Sequence, residues 1–137
     1  MIILDTNVIS EIMKPSPCAA VRSWIVACTG SELYTTSITI AEILYGIERL
    51  PSGQRKESLR TTSLEIFHGF EDRILPFDTA AAIGYSSIVD SRDRLGSPIA
   101  GFDAQIASIC LTHRATLATR NVKDFQNTQI NVINPWQ

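Results

Sequence analysis

Four acidic residues are the side chains of this chain best placed for chemistry, because each lies where a predicted strand ends or the next helix begins. They are Asp5, Glu42, Asp103 and Asp124. In an open parallel sheet, ligands bind in the crevice beyond the carboxyl ends of the strands, where the following helices start. The pattern therefore predicts that the four carboxylates meet at one edge of a sheet.

Converging carboxylates repel one another and raise one another's pKa values unless a cation neutralises them. Oxygen ligands without His or Cys favour Mg²⁺, with Mn²⁺ as the alternative. Such an ion lowers the pKa of a bound water, so that hydroxide forms near neutral pH, and a second ion about 3.5–4 Å away would stabilise a leaving oxygen. The four acids thus predict hydrolysis of phosphodiesters.

The residues next to these acids are polar or basic. Four of them could orient the metal ligands or bound waters, namely Thr6, Asn7, Thr119 and Asn121. Arg120 and Lys123 flank Asn121 on the way to Asp124, and they are the best candidates for contacts with phosphate. Two solvated charges on a loop explain this last pair equally well.

Each acid also has a purely structural explanation. Asp5 could cap a helix, and Asp103 could complement the positive end of one. Glu42 stands three residues after Thr39, which is the spacing of a capping box. Asp124 could be a surface turn acid or the cap of a short helix. Singly, none of the four is decisive, and only their shared placement favours a metal site.

Histidine and cysteine offer no competing site. Cys18, Cys28 and Cys110 lie far apart, and no His stands at a zinc-ligand spacing from any of them. His68 and His113 are isolated as well, so no triad that uses His has a supporting pattern. The spacing predicts three buried, reduced thiols and leaves the chemistry to carboxylates.

The elements that position the acids follow from the alternation of short apolar stretches with helical segments. This alternation predicts an α/β fold with a mainly parallel sheet in one domain, residues 1–137. The predicted strands are Ile2–Leu4, Leu33–Thr36, Ile74–Phe77, Thr116–Ala118 and Ile130–Ile133. The clearest helices are Ile38–Leu50, Thr79–Leu95 and Phe102–His113, while residues 48–60 are interpreted as a solvated turn and helix face.

Composition limits the location and the partners. No apolar stretch approaches the roughly 18 residues of a membrane span, and no signal peptide pattern is present, so we expect a cytoplasmic protein that does not enter membranes. The net charge of −2 argues at first against a nucleic-acid ligand. If four of the 14 acids bind metal, however, ten remain against 12 basic residues, a balance of +2 that suits a phosphate-bearing polymer.

Four segments, in order along nearly the whole chain, resemble the acidic motifs of PIN-domain ribonucleases. They are LDTNVISE, SITIAEILYGIERL, FDAQIAS and ATRNVKDF. The chain is most similar to VapC toxins of bacterial type II toxin–antitoxin modules, in particular the FitB-like branch. The resemblance implies a three-layer α/β/α sandwich with a parallel five-stranded sheet and Mg²⁺-dependent endoribonuclease activity.

The same resemblance assigns the metal site to Asp5, Glu42 and Asp103. Asp124 is the fourth acid, although Asn121 occupies an alternative position for it. The resemblance further implies a homodimer and a cognate antitoxin, through which the complex assembles on DNA. An antitoxin tail would place a basic side chain in the acidic pocket. The apolar groove for this tail could form around helical residues, although core packing is the preferred interpretation for most of them; they are Ile9, Ile12, Trp24 and Ile43 or Tyr45.

Two further function classes remain open. A phosphatase or phosphotransfer domain would use Asp5 as its nucleophile, but Asn7 stands where the haloacid dehalogenase pattern has a second Asp. A catalytically silent PIN-fold binding module would keep the fold without turnover. A nucleotide-binding domain has little support because no Gly-rich phosphate loop is present.

Overall fold

The computed structural model describes all 137 residues and contains five strands and six α-helices. The strands are β1 Ile2–Leu4, β2 Leu33–Thr36, β3 Ile74–Leu75, β4 Thr116–Ala118 and β5 Asn131–Ile133. The helices are α1 Thr6–Ile12, α2 Ala19–Ala27, α3 Ser37–Glu48, α4 Gln54–Gly69, α5 Thr79–Arg94 and α6 Gly101–His113. Short 3₁₀ turns form at Gly30–Glu32 and Val122–Phe125.

The five strands form one sheet in the order β3-β2-β1-β4-β5, and every pairing is parallel. Strand β1 is central, with Leu4 opposite Ala118 of β4. Because all strands run the same way, their carboxyl ends lie at one edge, and β1 delivers Asp5 to it. The predicted α/β fold with a parallel sheet is confirmed.

Side chains alternate across the sheet and build two apolar cores. Ile3 and Leu117 contribute to the core under α5 and α6. Leu4 and Ala118, one position further along each strand, contribute to the core under α1 to α4. This period of two explains why strands of only three residues suffice to hold helices on both faces. The result is the three-layer sandwich.

Helix ends agree with local capping chemistry. Asp78 caps α5 by accepting a hydrogen bond from the Ala81 N–H at 3.0 Å, and Gly96 follows the helix at a φ of 70° that favours glycine. Strand β3 stops at Leu75, two residues short of its predicted end, because Pro76 has no N–H to donate. None of the helices has both the length and the apolar character that crossing a membrane would need.

Residues 48–60 form the predicted solvated turn and helix face, since they are mostly exposed and α4 begins at Gln54. The full 16-residue extent of α4 was not predicted, because only Ser63 and Phe67 on it are buried. Helix α2 was not predicted either. The prediction of three buried thiols holds for Cys110 only, since Cys18 and Cys28 are half-buried, although all three are free.

Candidate active site

Asp5 is the best-fixed carboxylate of the site. It is only 4% exposed and directly follows the central strand. One oxygen accepts from the Thr6 N–H at 2.8 Å, and the other accepts from Thr119 Oγ1 at 2.7 Å and Asn7 Nδ2 at 3.2 Å. Burial raises the pKa of Asp5 even though these three hydrogen bonds oppose the rise. Asp5 is therefore both the N-cap of α1 and a buried, oriented carboxylate.

Glu42 lies on α3 and turns toward Asp5. The N-cap of this helix is Thr36, whose hydroxyl accepts from the Thr39 N–H at 3.1 Å, so the capping-box explanation of Glu42 is wrong. Glu42 Oε1 instead accepts from Thr6 Oγ1 at 2.8 Å. Burial, and to a smaller extent the negative charge of Asp5, raises the pKa of Glu42. Thr6 thus links the first two acids.

Asp103 lies in the first turn of α6 and is half-buried. Its pKa is raised from the ordinary 3.8 to about 6, first by burial and then by the negative charges of Asp5, Asp124 and Glu42. Arg92 lowers it in part. Because the other three acids all act on Asp103, the four charges share one electrostatic environment at the carboxyl edge of the sheet.

A polar cavity of about 430 Å³ brings three of the acids together. It is lined by Asp5, Glu42 and Asp103, with Thr6, Asn7 and Asn121 among its other walls. Asp124 does not line it. That residue is exposed in the 3₁₀ turn Val122–Phe125 and borders a neighbouring depression with Arg120 and Lys123. Its charge nevertheless raises the pKa of Asp5.

The predicted polar neighbours form one hydrogen-bonded chain behind Asp5. Asn7 Nδ2 donates to Thr119 Oγ1 at 3.0 Å, and Asn7 Oδ1 accepts from the Arg120 N–H at 3.0 Å. Thr119 Oγ1 also accepts from the Asn121 N–H at 3.1 Å. Together these contacts fix the Asp5 carboxylate relative to the loop after β4, which is what orientation of a metal ligand requires.

The structure also brings in residues that the motifs did not single out for the site. Glu11, Lys14 and Trp136 line the acidic cavity beside Arg120. Nothing in the local sequence around Trp136, the penultimate residue, connects it with the start of the chain. Arg92 is a second omission, since its side chain is buried behind Asp103 and Asp124. Both depend on tertiary contacts that no spacing records.

The arrangement and the chemistry of the acids bear on whether they can bind Mg²⁺. No three acidic, His or Cys side chains are arranged so that they could hold a metal ion by themselves. Mg²⁺, however, is usually held by one or two carboxylates together with water and substrate phosphates. The donor set is all oxygen, and the mutual rise of pKa values is the strain that a cation relieves. The oxygen donors among Asp5, Glu42 and Asp103 are therefore compatible with Mg²⁺ that also binds water and substrate phosphate.

A second cavity of about 430 Å³ adjoins the acidic one and shares Thr6 and Glu42 with it. It runs between α1, α3 and α4, and its apolar lining is Met13, Ile43, Ile47, Leu50 and Leu59. Of the residues predicted for the groove of an antitoxin tail, only Ile43 lines this cavity. Ile9 is fully buried in the core, and Tyr45 is 63% exposed outside the groove.

Comparison with known proteins agrees with this geometry. The family model described as PIN domain matches residues 2–130. The chain is 36% identical to "VapC ribonuclease Y4jK" of Sinorhizobium fredii, covering 100% of this chain and 99% of that one. It is 38% identical to "Toxin FitB" of Neisseria gonorrhoeae, covering 99% of each chain. The solved "Structure of FitAB bound to IR36 DNA fragment" superposes with a TM-score of 0.92 at 37% identity, over 100% of this chain and 96% of that chain.

Proposed function

Because this chain belongs to the PIN-domain family, among its VapC- and FitB-like toxins, we propose that it is an Mg²⁺-dependent endoribonuclease and the toxin of a toxin–antitoxin module. The observation that carries the proposal is the buried Asp5, held by three hydrogen bonds in a cavity that Glu42 and Asp103 also line. Full-length similarity to a protein named a VapC ribonuclease supports RNA as the substrate.

The chain's own residues have separate parts in this reaction. Asp5, Glu42 and Asp103 would hold Mg²⁺, which when bound supplies a water of lowered pKa and neutralises charge on the phosphate. Thr119 and Asn7 keep Asp5 in one orientation, so little reorganisation is needed when the substrate arrives. Thr6 keeps Glu42 beside Asp5. Asp124 adds negative charge from the rim without lining the cavity.

The phosphatase alternative finds no support in this arrangement. Asn7 stands where the haloacid dehalogenase pattern has a second Asp, and its side-chain amide donates to Asp5 at 3.2 Å, so no second carboxylate is present there to act as an acid. The silent binding module remains the outcome to be excluded by assay.

We propose a cognate antitoxin as the protein partner, bound in the groove between α1, α3 and α4. This groove opens into the acidic cavity at Thr6 and Glu42, so a chain lying in it would reach the carboxylates. The complex FitAB, described as bound to a DNA fragment, supports assembly on DNA through the antitoxin. A homodimer of the toxin belongs to the same proposal.

The test is cleavage of total cellular RNA by the purified chain, freed of any partner, with Mg²⁺ or with EDTA. Asp5→Asn is the matched variant, because Asn retains the ability to cap α1 but loses the charge. Discrete cleavage that both EDTA and Asp5→Asn abolish is the expected result. RNA left intact by the wild-type chain in Mg²⁺, or cut equally by Asp5→Asn, would contradict the proposal.

A further inference from the structure

Part of the lining of the acidic cavity is basic and aromatic. Lys14, Arg120 and Trp136 line it, in the same cavity of about 430 Å³ that holds Asp5 and Glu42. Trp136 is the single apolar side chain among its 11 lining residues. The cavity therefore combines carboxylates with two cations and one large ring.

Arg120 and Trp136 form a preassembled stack. The Arg120 guanidinium lies 5.2 Å from the centre of the Trp136 ring, and the ring packs against the core under α1 to α4. The Trp136 N–H donates to Asn134 Oδ1 at 2.9 Å, which fixes the backbone beneath the ring. Arg120 is exposed and forms no ion pair with any carboxylate, so its charge is available to a ligand.

Lys14 is held at the rim by a buried acid. Glu11 is 7% exposed and accepts from Lys14 Nζ at 3.0 Å and from the Cys18 N–H at 3.0 Å. The Lys14 side chain is nevertheless 59% exposed. Glu11 therefore anchors a cation at the mouth of the cavity and leaves it open to a second contact.

The stack is also tied to the reacting edge. The Arg120 N–H donates to Asn7 Oδ1 at 3.0 Å, and Asn7 Nδ2 donates to Asp5 at 3.2 Å. The backbone of Arg120 is thus fixed relative to Asp5, and the contact with Trp136 holds the guanidinium. A group stacked on Arg120 would share one cavity with Asp5.

This combination of groups fits one kind of ligand. A planar guanidinium stacks on nucleobases, and a lysine ammonium acts as a point charge for phosphate. Bases in an RNA duplex are stacked and paired, so only an unpaired base can reach such a platform. We propose that Lys14, Arg120 and Trp136 form a subsite that takes one unpaired RNA nucleotide next to the scissile phosphate, its base stacked on Arg120 over Trp136. This subsite rests on the proposed ribonuclease function and names the residues that hold the nucleotide.

The experiment measures binding rather than turnover. The Asp5→Asn chain, which also carries Trp24→Phe so that Trp136 is its only tryptophan, is titrated in EDTA while Trp136 fluorescence is recorded. Stacking platforms tolerate any base, so the probes are ten-nucleotide oligoadenylate, its duplex with oligouridylate, and an abasic ribose-phosphate strand of equal length. Oligoadenylate should quench Trp136 and bind at least about 10-fold more tightly than either other probe.

Two variants separate stacking from charge. Arg120→Lys keeps the positive charge but removes the planar guanidinium. It should therefore remove the preference for oligoadenylate over the abasic strand. Lys14→Ala should weaken the binding of both strands to the same extent. Arg94→Lys, on the exposed surface of α5, is the matched control and should change neither. Thermal unfolding of each variant confirms that it is folded.

Equal binding of the abasic strand and oligoadenylate would overturn the subsite. A preference for oligoadenylate over the abasic strand that survives Arg120→Lys would overturn it as well, and so would binding of the duplex as tight as binding of the single strand. An acidic peptide ligand for these cations would give the first of these results. Failure of the wild-type chain to cut any RNA in Mg²⁺ would overturn the proposed function instead, while the subsite is decided by the binding comparison.

Discussion

Among the residues that do not line the acidic cavity, we expect Arg92 on α5 to contribute most to the shape of the site. Its side chain is buried, with 4% exposed. The guanidinium donates to the Ser97 carbonyl at 2.6 Å, ahead of α6, and to the carbonyls of Asp124 at 2.7 Å and Gln126 at 3.1 Å. One side chain therefore joins the segment that leads to Asp103 to the turn that carries Asp124.

The cost of removing these contacts follows from their number. In Arg92→Met, three carbonyls lose a charged donor, and each group left without a partner costs about 1–3 kcal/mol. The carbonyls belong to exposed segments, so water replaces part of the loss, and we expect a net destabilisation of about 3 kcal/mol. For a domain of this size that corresponds to a melting temperature lower by roughly 10 °C. RNA cleavage should fall more than the unfolded fraction explains, since both segments shift.

Urea unfolding followed by circular dichroism measures the stability, and RNA cleavage well below the melting temperature measures the site. Arg94→Ala is the matched control, two residues along the same helix, because the Arg94 side chain is 79% exposed and pairs only with Asp90. That change should cost no more than about 0.5 kcal/mol. If Arg92→Met were as stable and as active as Arg94→Ala, the reasoning would be refuted.

Two further predictions concern the acids themselves. The folded chain binds more protons than the unfolded chain between pH 3.8 and about 6, because the pKa of Asp103 is raised over that interval, so without metal its stability should fall as pH rises through this window. After a discount for the solvent that screens a half-buried group, the share of Asp103 in this loss is about 1 kcal/mol. The pKa values of Asp5 and Glu42 are raised as well, so urea unfolding at pH 5 and 7.5 in EDTA should show a smaller loss in Asp103→Asn than in the wild type. Thr119→Val keeps the shape of a fully buried side chain but removes the donor to Asp5, so it should cost about 1–2 kcal/mol in urea unfolding and slow RNA cleavage. A Thr119→Val chain with wild-type cleavage would show that Asp5 does not depend on this contact.

The fold was predictable because local patterns and tertiary structure agree. Strands β1, β2 and β4 match their predicted bounds, since each is a short stretch of apolar and β-branched residues next to polar ones. Helix α4 was not predicted, since two buried side chains in four turns leave no apolar stripe to detect. The helix is too weakly amphipathic to be recognised from the sequence, and its place beside the groove is seen only in the structure.

Only those site residues whose positions follow from the ends of strands were predictable. Parallel strands bring Asp5, Glu42 and Asp103 to one edge, and the cavity there contains all three. That Asp124 lies on the rim depends on the conformation of a 3₁₀ turn, which four residues of sequence do not determine. Trp136 reaches the cavity through the path of the chain after β5, and no periodicity carries that information.

The basic part of the cavity lining illustrates the same limit. Lys14 follows Glu11 by one helical turn, so their ion pair is a local feature that sequence spacing suggests. That the pair lines the same cavity as Asp103 is a property of the fold. Residues that act on the same ligand from different elements are therefore the part of the site for which structure is indispensable.

The central claim is that the carboxylates around Asp5 hold the metal ion. The most direct test is calorimetric titration of Mg²⁺ into the purified chain, free of partner and RNA, and into Asp5→Asn at the same pH. Asn can still cap α1, so the comparison isolates the charge. The account predicts saturable binding to the wild type and no measurable binding to Asp5→Asn. Equal binding by both chains would contradict it.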